Sequence, residues 1–155
     1  MKAIAKLVVV LVTCIPLAAQ APHDLSGTWR LDPIQSGGPR PAGQPPVVLI
    51  VQQDADRLTM EHRTGDKSIT STYSFDGSPI STTSSIGRQT VGKARWEKDT
   101  LVIEGAEKTP GGGTLVLRVE VERSADGNTL LVTETRDNGN TRFTSKSVFV
   151  KESAR

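Results

Sequence analysis

Cysteine is almost absent: the chain of 155 residues has one, Cys14, inside an apolar N-terminal stretch. A disulfide framework and a cysteine-based zinc site are therefore excluded. Histidine is nearly as scarce, and His23 and His62 lie far apart with no paired carboxylates at ligand spacing. No metal site and no cofactor is expected. There is no Gly-x-Ser-x-Gly, the run Ser81 to Ser85 ("STTSS") supplies hydroxyls without a neighbouring base, and Gly111-Gly112-Gly113 leads into Thr114 without the Lys-Ser/Thr of a phosphate loop. Neither an activated nucleophile nor a nucleotide cradle is expected. Helical spacing of apolar residues is also lacking, and so is any apolar run of the roughly 20 residues needed to span a bilayer.

What is present begins with residues 1–21, which have the layout of a secretory signal. Lys2 and Lys6 precede an apolar stretch from Leu7 to Leu17, and Ala19-Gln20-Ala21 offers a small-residue cleavage site. The expectation is a secreted or periplasmic protein cut near Ala21, with residues 22–155 as one domain and no stable membrane insertion afterwards. Cys14 follows Leu11-Val12-Thr13, a poor match to the small residues that precede a lipidated cysteine. Without the leader, which carries two lysines and no acid, seventeen bases face seventeen acids. A balanced surface gives no electrostatic reason to bind nucleic acid or anionic lipid.

From Thr28 onward apolar residues recur with period two. Trp29 and Leu31, Val47 to Val51, Leu58 and Met60, and Ile69, Tyr73 and Phe75 form successive sets. Trp96, Leu101 and Ile103, Leu115 to Val121, Leu130 and Val132, and Phe143 and Phe149 continue them. Each set marks one buried face of a strand, with Lys93, Arg95 and Glu97 showing the polar face around Trp96. Asp76-Gly77, Asp126-Gly127-Asn128 and Asn138-Gly139-Asn140 are hairpin turns by composition. The pattern predicts an all-β antiparallel meander of about eight to ten strands, closed into a barrel to hide its edges. An open sandwich is the competing arrangement. Residues 33–46, "PIQSGGPRPAGQPP", hold five prolines and three glycines and cannot be a ladder strand. They are read as a long loop, either a flap over a barrel mouth or an inert connection.

The opening of the folded part, "LSGTWRLD" at residues 25–32, places Gly27 two before Trp29. Gly-x-Trp on the first strand of an exported antiparallel barrel resembles the N-terminal signature of the lipocalins and the wider calycin group. That resemblance implies a glycine that lets the strand enter tightly and a tryptophan that plugs one end beneath a basic residue of the last strand. Arg142, Lys146 and Lys151 are candidates for that cover. "DLSGTW-x-L" (Asp24 to Leu31), "V-x-I-x-Q" (Val48 to Gln52), "W-x-x-D-x-L-V-I" (Trp96 to Ile103) and "A-D-G-x-T-L" (Ala125 to Leu130) are similar to motifs of small secreted bacterial lipocalin-like proteins. The chain departs from vertebrate lipocalins in lacking a Thr-Asp-Tyr after a middle strand and any disulfide.

An eight-stranded barrel holds either packed side chains or one small ligand. The expected function is non-enzymatic binding of a small apolar or amphipathic molecule. A fully packed structural or protein-interaction barrel of the cell envelope, and an extracellular enzyme, are the alternatives. Tyr73, Trp96, Leu117 and Val119 are expected to line the cavity, with Trp96 beside the small residues Gly92 and Ala94. Glu134 and Arg136 share parity with Leu130 and Val132, and either point inward as a polar pair or face water. Nothing in the sequence sets the oligomeric state.

Overall fold

The hairpin turns at 126–128 and 138–140 fall where the Asp, Asn and Gly clusters stand, because these side chains accept the backbone N–H groups that a reversal leaves unpaired, whereas Asp76-Gly77, expected as a hairpin, joins two strands that do not pair with each other. Asp54 Oδ1 likewise takes the amides of Asp56 and Arg57 at 3.0 and 2.7 Å. The computed structural model of the chain describes residues 24–83, 89–109 and 112–153. The leader expected over residues 1–21 and its cleavage site lie outside the described residues.

Ten antiparallel strands and no helix occupy the described residues. They are β1 (Gly27–Asp32), β2 (Val47–Gln53), β3 (Arg57–Thr64), β4 (Lys67–Ser74), β5 (Ile80–Thr83), β6 (Gln89–Glu97), β7 (Thr100–Lys108), β8 (Thr114–Arg123), β9 (Thr129–Asp137) and β10 (Arg142–Lys151). They form one continuous sheet in the order β4-β3-β2-β1-β10-β9-β8-β7-β6-β5. The first strand pairs with both β2 and β10, Trp29 standing opposite Leu49 on one side and Lys151 on the other. That pairing rules out two separate sheets and rolls the meander into a barrel. Closure is incomplete, since among the described residues β4 hydrogen-bonds only to β3 and β5 only to β6. A seam without a backbone ladder runs between β4 and β5.

The interior is divided along its length. Trp29, Leu49, Leu58, Leu101, Val121, Leu130 and Phe149 are buried near the end that carries the turns at 54–56, 98–99 and 124–128. Further along the same inward faces burial fades: β3 runs from buried Leu58 and Met60 to exposed His62 and Thr64, and β10 from buried Phe149 back to Phe143, which is 62% exposed. Among the described residues one half of the barrel is a packed core and the other is an open cup.

Trp29 closes the packed end. Its Nε1 donates to the Leu25 carbonyl at 3.0 Å, and Lys151 Nζ stands 5.2 Å from the ring centroid. Of the three candidate covers, Lys151 is the one over the indole. Gly27 makes this possible: a Cβ there would lie 3.0 Å from Lys151 Cε, and its φ of +145° suits glycine alone. The Gly-x-Trp pair is thus a steric unit, with the glycine clearing the path by which the lysine stem crosses the ring.

On the outer wall Arg95, Glu97, Glu104, Arg118 and Glu120 form a self-neutralising lattice across β6, β7 and β8, with Arg95–Glu104 at 2.7 Å and Arg118–Glu104 at 2.8 Å. Val102, in register with Arg95 and Glu120, is buried among them although its side chain faces away from the core. The loop 33–46 contains no strand. It is fixed near its start, where Ser36 Oγ accepts the Val148 amide of β10 at 2.8 Å, and near its end, where Pro45 packs against Gly65 of the β3–β4 turn.

Candidate functional site

In the open half of the barrel several inward positions carry small side chains. Ser145 and Ser147 of β10 stand opposite Glu134 and Val132, Ser71 of β4 stands opposite Met60, and Gly92 faces Gly105. Side chains of this size cannot meet across a barrel, and a cavity of about 400 Å³ remains. Its lower wall is apolar, with Met60, Ile103, Val119 and Val132, and Leu117 and Ile69 continue that surface toward the rim. Its polar groups are His62, Thr64, Ser71, Tyr73, Glu134 and Arg136.

These polar groups interact with one another. Glu134 and Arg136 lie two apart on β9 and face the same side, and Arg136 Nε donates to Glu134 Oε1 in an ion pair. Both lie on the inward-facing side of β9 as a polar pair, yet Arg136 also meets water at the rim, so each of the two arrangements expected from the sequence describes part of what the pair does. His62 sits edge-on to the Phe149 ring at 6.4 Å between centroids. Barrel wall surrounds the imidazole on most sides while the cavity leaves part of its surface open to water. That crowding pulls its pKa below the usual 6.5, against a smaller upward pull from Glu134. Burial likewise pushes the Tyr73 phenol above its ordinary 10, helped by Glu134 and opposed by a hydrogen bond with Ser71. At neutral pH His62 is therefore an uncharged donor and acceptor, and Tyr73 keeps its proton.

The His62 shift has a stability consequence. The charged groups that face it are Glu134 and Arg136 from β9, and the phenol of Tyr73 faces it from β4. Because the folded pKa is depressed, the unfolded chain takes up the proton first, so stability should be lost as pH falls below about 6.5 toward the folded value. Chemical melts between about pH 7.5 and 5 should show this loss in the wild type, and His62→Asn should flatten the curve across that window. Carboxylates titrate in the unfolded chain only near 4 and below, which keeps the two effects apart. A wild-type curve already flat above pH 5 would show that the imidazole is not held neutral.

Of the residues anticipated as ligand-lining, Tyr73, Leu117, Val119, Glu134 and Arg136 stand together on the cavity wall. Trp96 does not line it. The room beside Gly92 is taken by the Tyr73 ring, which reaches from β4 across the seam so that a Cβ at Gly92 would lie 3.2 Å from Tyr73 Cε1. Phe75 fills the space near the indole, 6.3 Å away between centroids. Sequence reasoning missed Met60, His62, Thr64, Ile69, Ser71, Ile103 and Val132 as cavity residues. His62 could have been found, since it shares parity with Leu58 and Met60 on β3. No group of His, Cys, Asp or Glu suited to a metal ion occurs among the described residues, nor any helix long and apolar enough to cross a membrane.

No protein-family model and no curated protein sequence matches the chain. Solved structures do match in shape. A REP1-NXSQ fatty acid transporter superposes with a TM-score of 0.61 at 10% identity, over 84% of this chain and 98% of its own. Lipid binding protein 8 of Caenorhabditis elegans gives 0.58 at 13% identity, over 83% and 95%. The zebrafish ileal bile acid-binding protein, complexed with cholic acid, gives 0.58 at 17% identity, over 83% and 98%. The chain shares the barrel fold of these structures.

Proposed function

We propose that this protein is a non-enzymatic carrier, exported by its leader at residues 1–21, that holds one small amphipathic molecule in the open half of its barrel. The observation that carries the reading is the cavity of about 400 Å³, whose apolar wall is continuous with the packed core at Met60, Ile103 and Val132. That volume falls in the range of small-molecule sites, roughly 300–1,000 Å³, and is out of place in a barrel filled to protein density. The lining sorts an amphiphile by itself: an alkyl or ring portion gains by leaving water against Val119, Val132 and Ile103, and a polar end meets Tyr73, His62, Glu134 and Arg136. The structural neighbours, a fatty acid transporter, a lipid-binding protein and a bile acid-binding protein by name, accord with this reading.

Neither tryptophan lines the cavity, so a neutral extrinsic probe such as N-phenyl-1-naphthylamine is the appropriate reporter. Its fluorescence should rise to saturation at one equivalent, and Val119→Trp, which fills the cavity, should abolish the rise while leaving the thermal midpoint close to wild type. Probe binding that never saturates, or that survives in a folded Val119→Trp protein, would assign it to the outer surface and sink the carrier reading.

A further inference from the structure

We propose, on the reading that the barrel holds an amphiphile, that the cavity selects ligands with an uncharged hydrogen-bonding head, such as a fatty alcohol, over carboxylates of the same chain length. The basis is the arrangement of charge along the cavity wall. Among the described lining residues Arg136 is the only permanent cation, and the guanidinium is already engaged by Glu134. A carboxylate entering the cavity meets a pair whose net charge is zero.

Depth adds to this. Glu134 stands opposite Val119 and Ser145, next to the buried Val132 along the inward face, whereas Arg136 stands opposite Leu117 and the exposed Phe143. Their side chains are 29% and 51% exposed, so the acid is the deeper of the two. A head group descending the cavity passes the cation first and arrives beside the carboxylate. An anion that stops at Arg136 must share the guanidinium with Glu134, and one that goes further faces like charge where screening by water is reduced. At either depth the attraction of a lone guanidinium for an anion is cancelled.

An alcohol avoids both costs. Its hydroxyl donates and accepts at once, and the wall supplies neutral partners of both kinds in Ser71, Tyr73 and His62. His62 stays neutral near physiological pH because burial disfavours its charged form, so no second cation arises to rescue an anion.

The test is displacement of the neutral probe at about pH 7.5 by decan-1-ol, decanoate and decylamine, each below its micellar range. Decanol should displace the probe at a concentration about tenfold lower than decanoate, the ratio expected from little more than one unfavourable charge contact. Glu134→Gln leaves Arg136 without a counter-charge, and decanoate should then gain about tenfold while decanol shifts by no more than about twofold. Arg136→Gln leaves Glu134 alone, so decanoate should weaken further and decylamine should gain. The two variants act in opposite directions, so a folding defect in one leaves the other as a complete test. Wild-type protein that prefers decanoate, or a folded Glu134→Gln protein whose order of preference does not move, overturns the selectivity and leaves the carrier reading standing. Absence of saturable probe binding in the wild type removes both.

Discussion

Alanine at position 29 is expected to lower the unfolding free energy by about 3–5 kcal/mol, the range for truncating a large aromatic in a core. Three separate losses combine there. The indole is fully buried at the closed end of the barrel, so its removal leaves a void that the flanking strands β2 and β10 cannot collapse into without breaking their ladders. The Leu25 carbonyl loses its 3.0 Å donor, and Leu25 itself is buried and so cannot turn to water. Lys151 loses the ring face over which its ammonium sits. Trp29→Phe keeps most of the apolar area and forfeits chiefly the hydrogen bond, so it should cost clearly less. Denaturant melts of the two variants check this, and a Trp29→Ala loss under about 1 kcal/mol would mean the closed end does not depend on its plug.

The second large effect is a contrast between the two halves. Leu101→Ala should cost about 2–5 kcal/mol, as expected for a fully buried leucine. Leu117→Ala should cost well under half as much, because Leu117 borders the cavity and its truncation widens an existing space instead of opening a new one. Leu117→Ala should instead show its effect in ligand binding, shifting preference toward bulkier apolar groups. Equal stability losses at the two positions would mean that the open half is as tightly packed as the closed one.

Period-two alternation identified nearly all of the packed core, because parity along a strand decides face: Trp29, Leu49, Leu58, Met60, Leu101, Ile103, Val121, Leu130 and Phe149 are all buried. Parity is silent on depth. Phe143 and Phe149 belong to the same inward face of β10, yet one is exposed at the rim and the other buried, and only the register with β9 separates them. The cavity was therefore half legible: five anticipated residues line it, but nothing local told which half of each strand would be hollow. Trp96 was misplaced for a related reason. The ring beside it, Phe75, and the Tyr73 ring that takes the room at Gly92 both come from across the β4–β5 seam, more than one strand away in sequence. The choice of Lys151 was available, since it alone of the three bases shares parity with Phe149; Arg142 and Lys146 fall on the opposite face of β10.

The unladdered seam leaves the barrel's circumference unpinned by backbone bonds at one place. In a fully hydrogen-bonded barrel the circumference is set by strand number and stagger, and widening it means breaking a row of backbone bonds at once. Here no ladder joins β4 to β5 among the described residues, and the Tyr73 ring reaches from β4 to Gly92 of β6, so parting the wall along this seam would break no row of backbone bonds. Tyr73 is also a cavity residue, so the side chain that spans the seam forms part of the cavity wall.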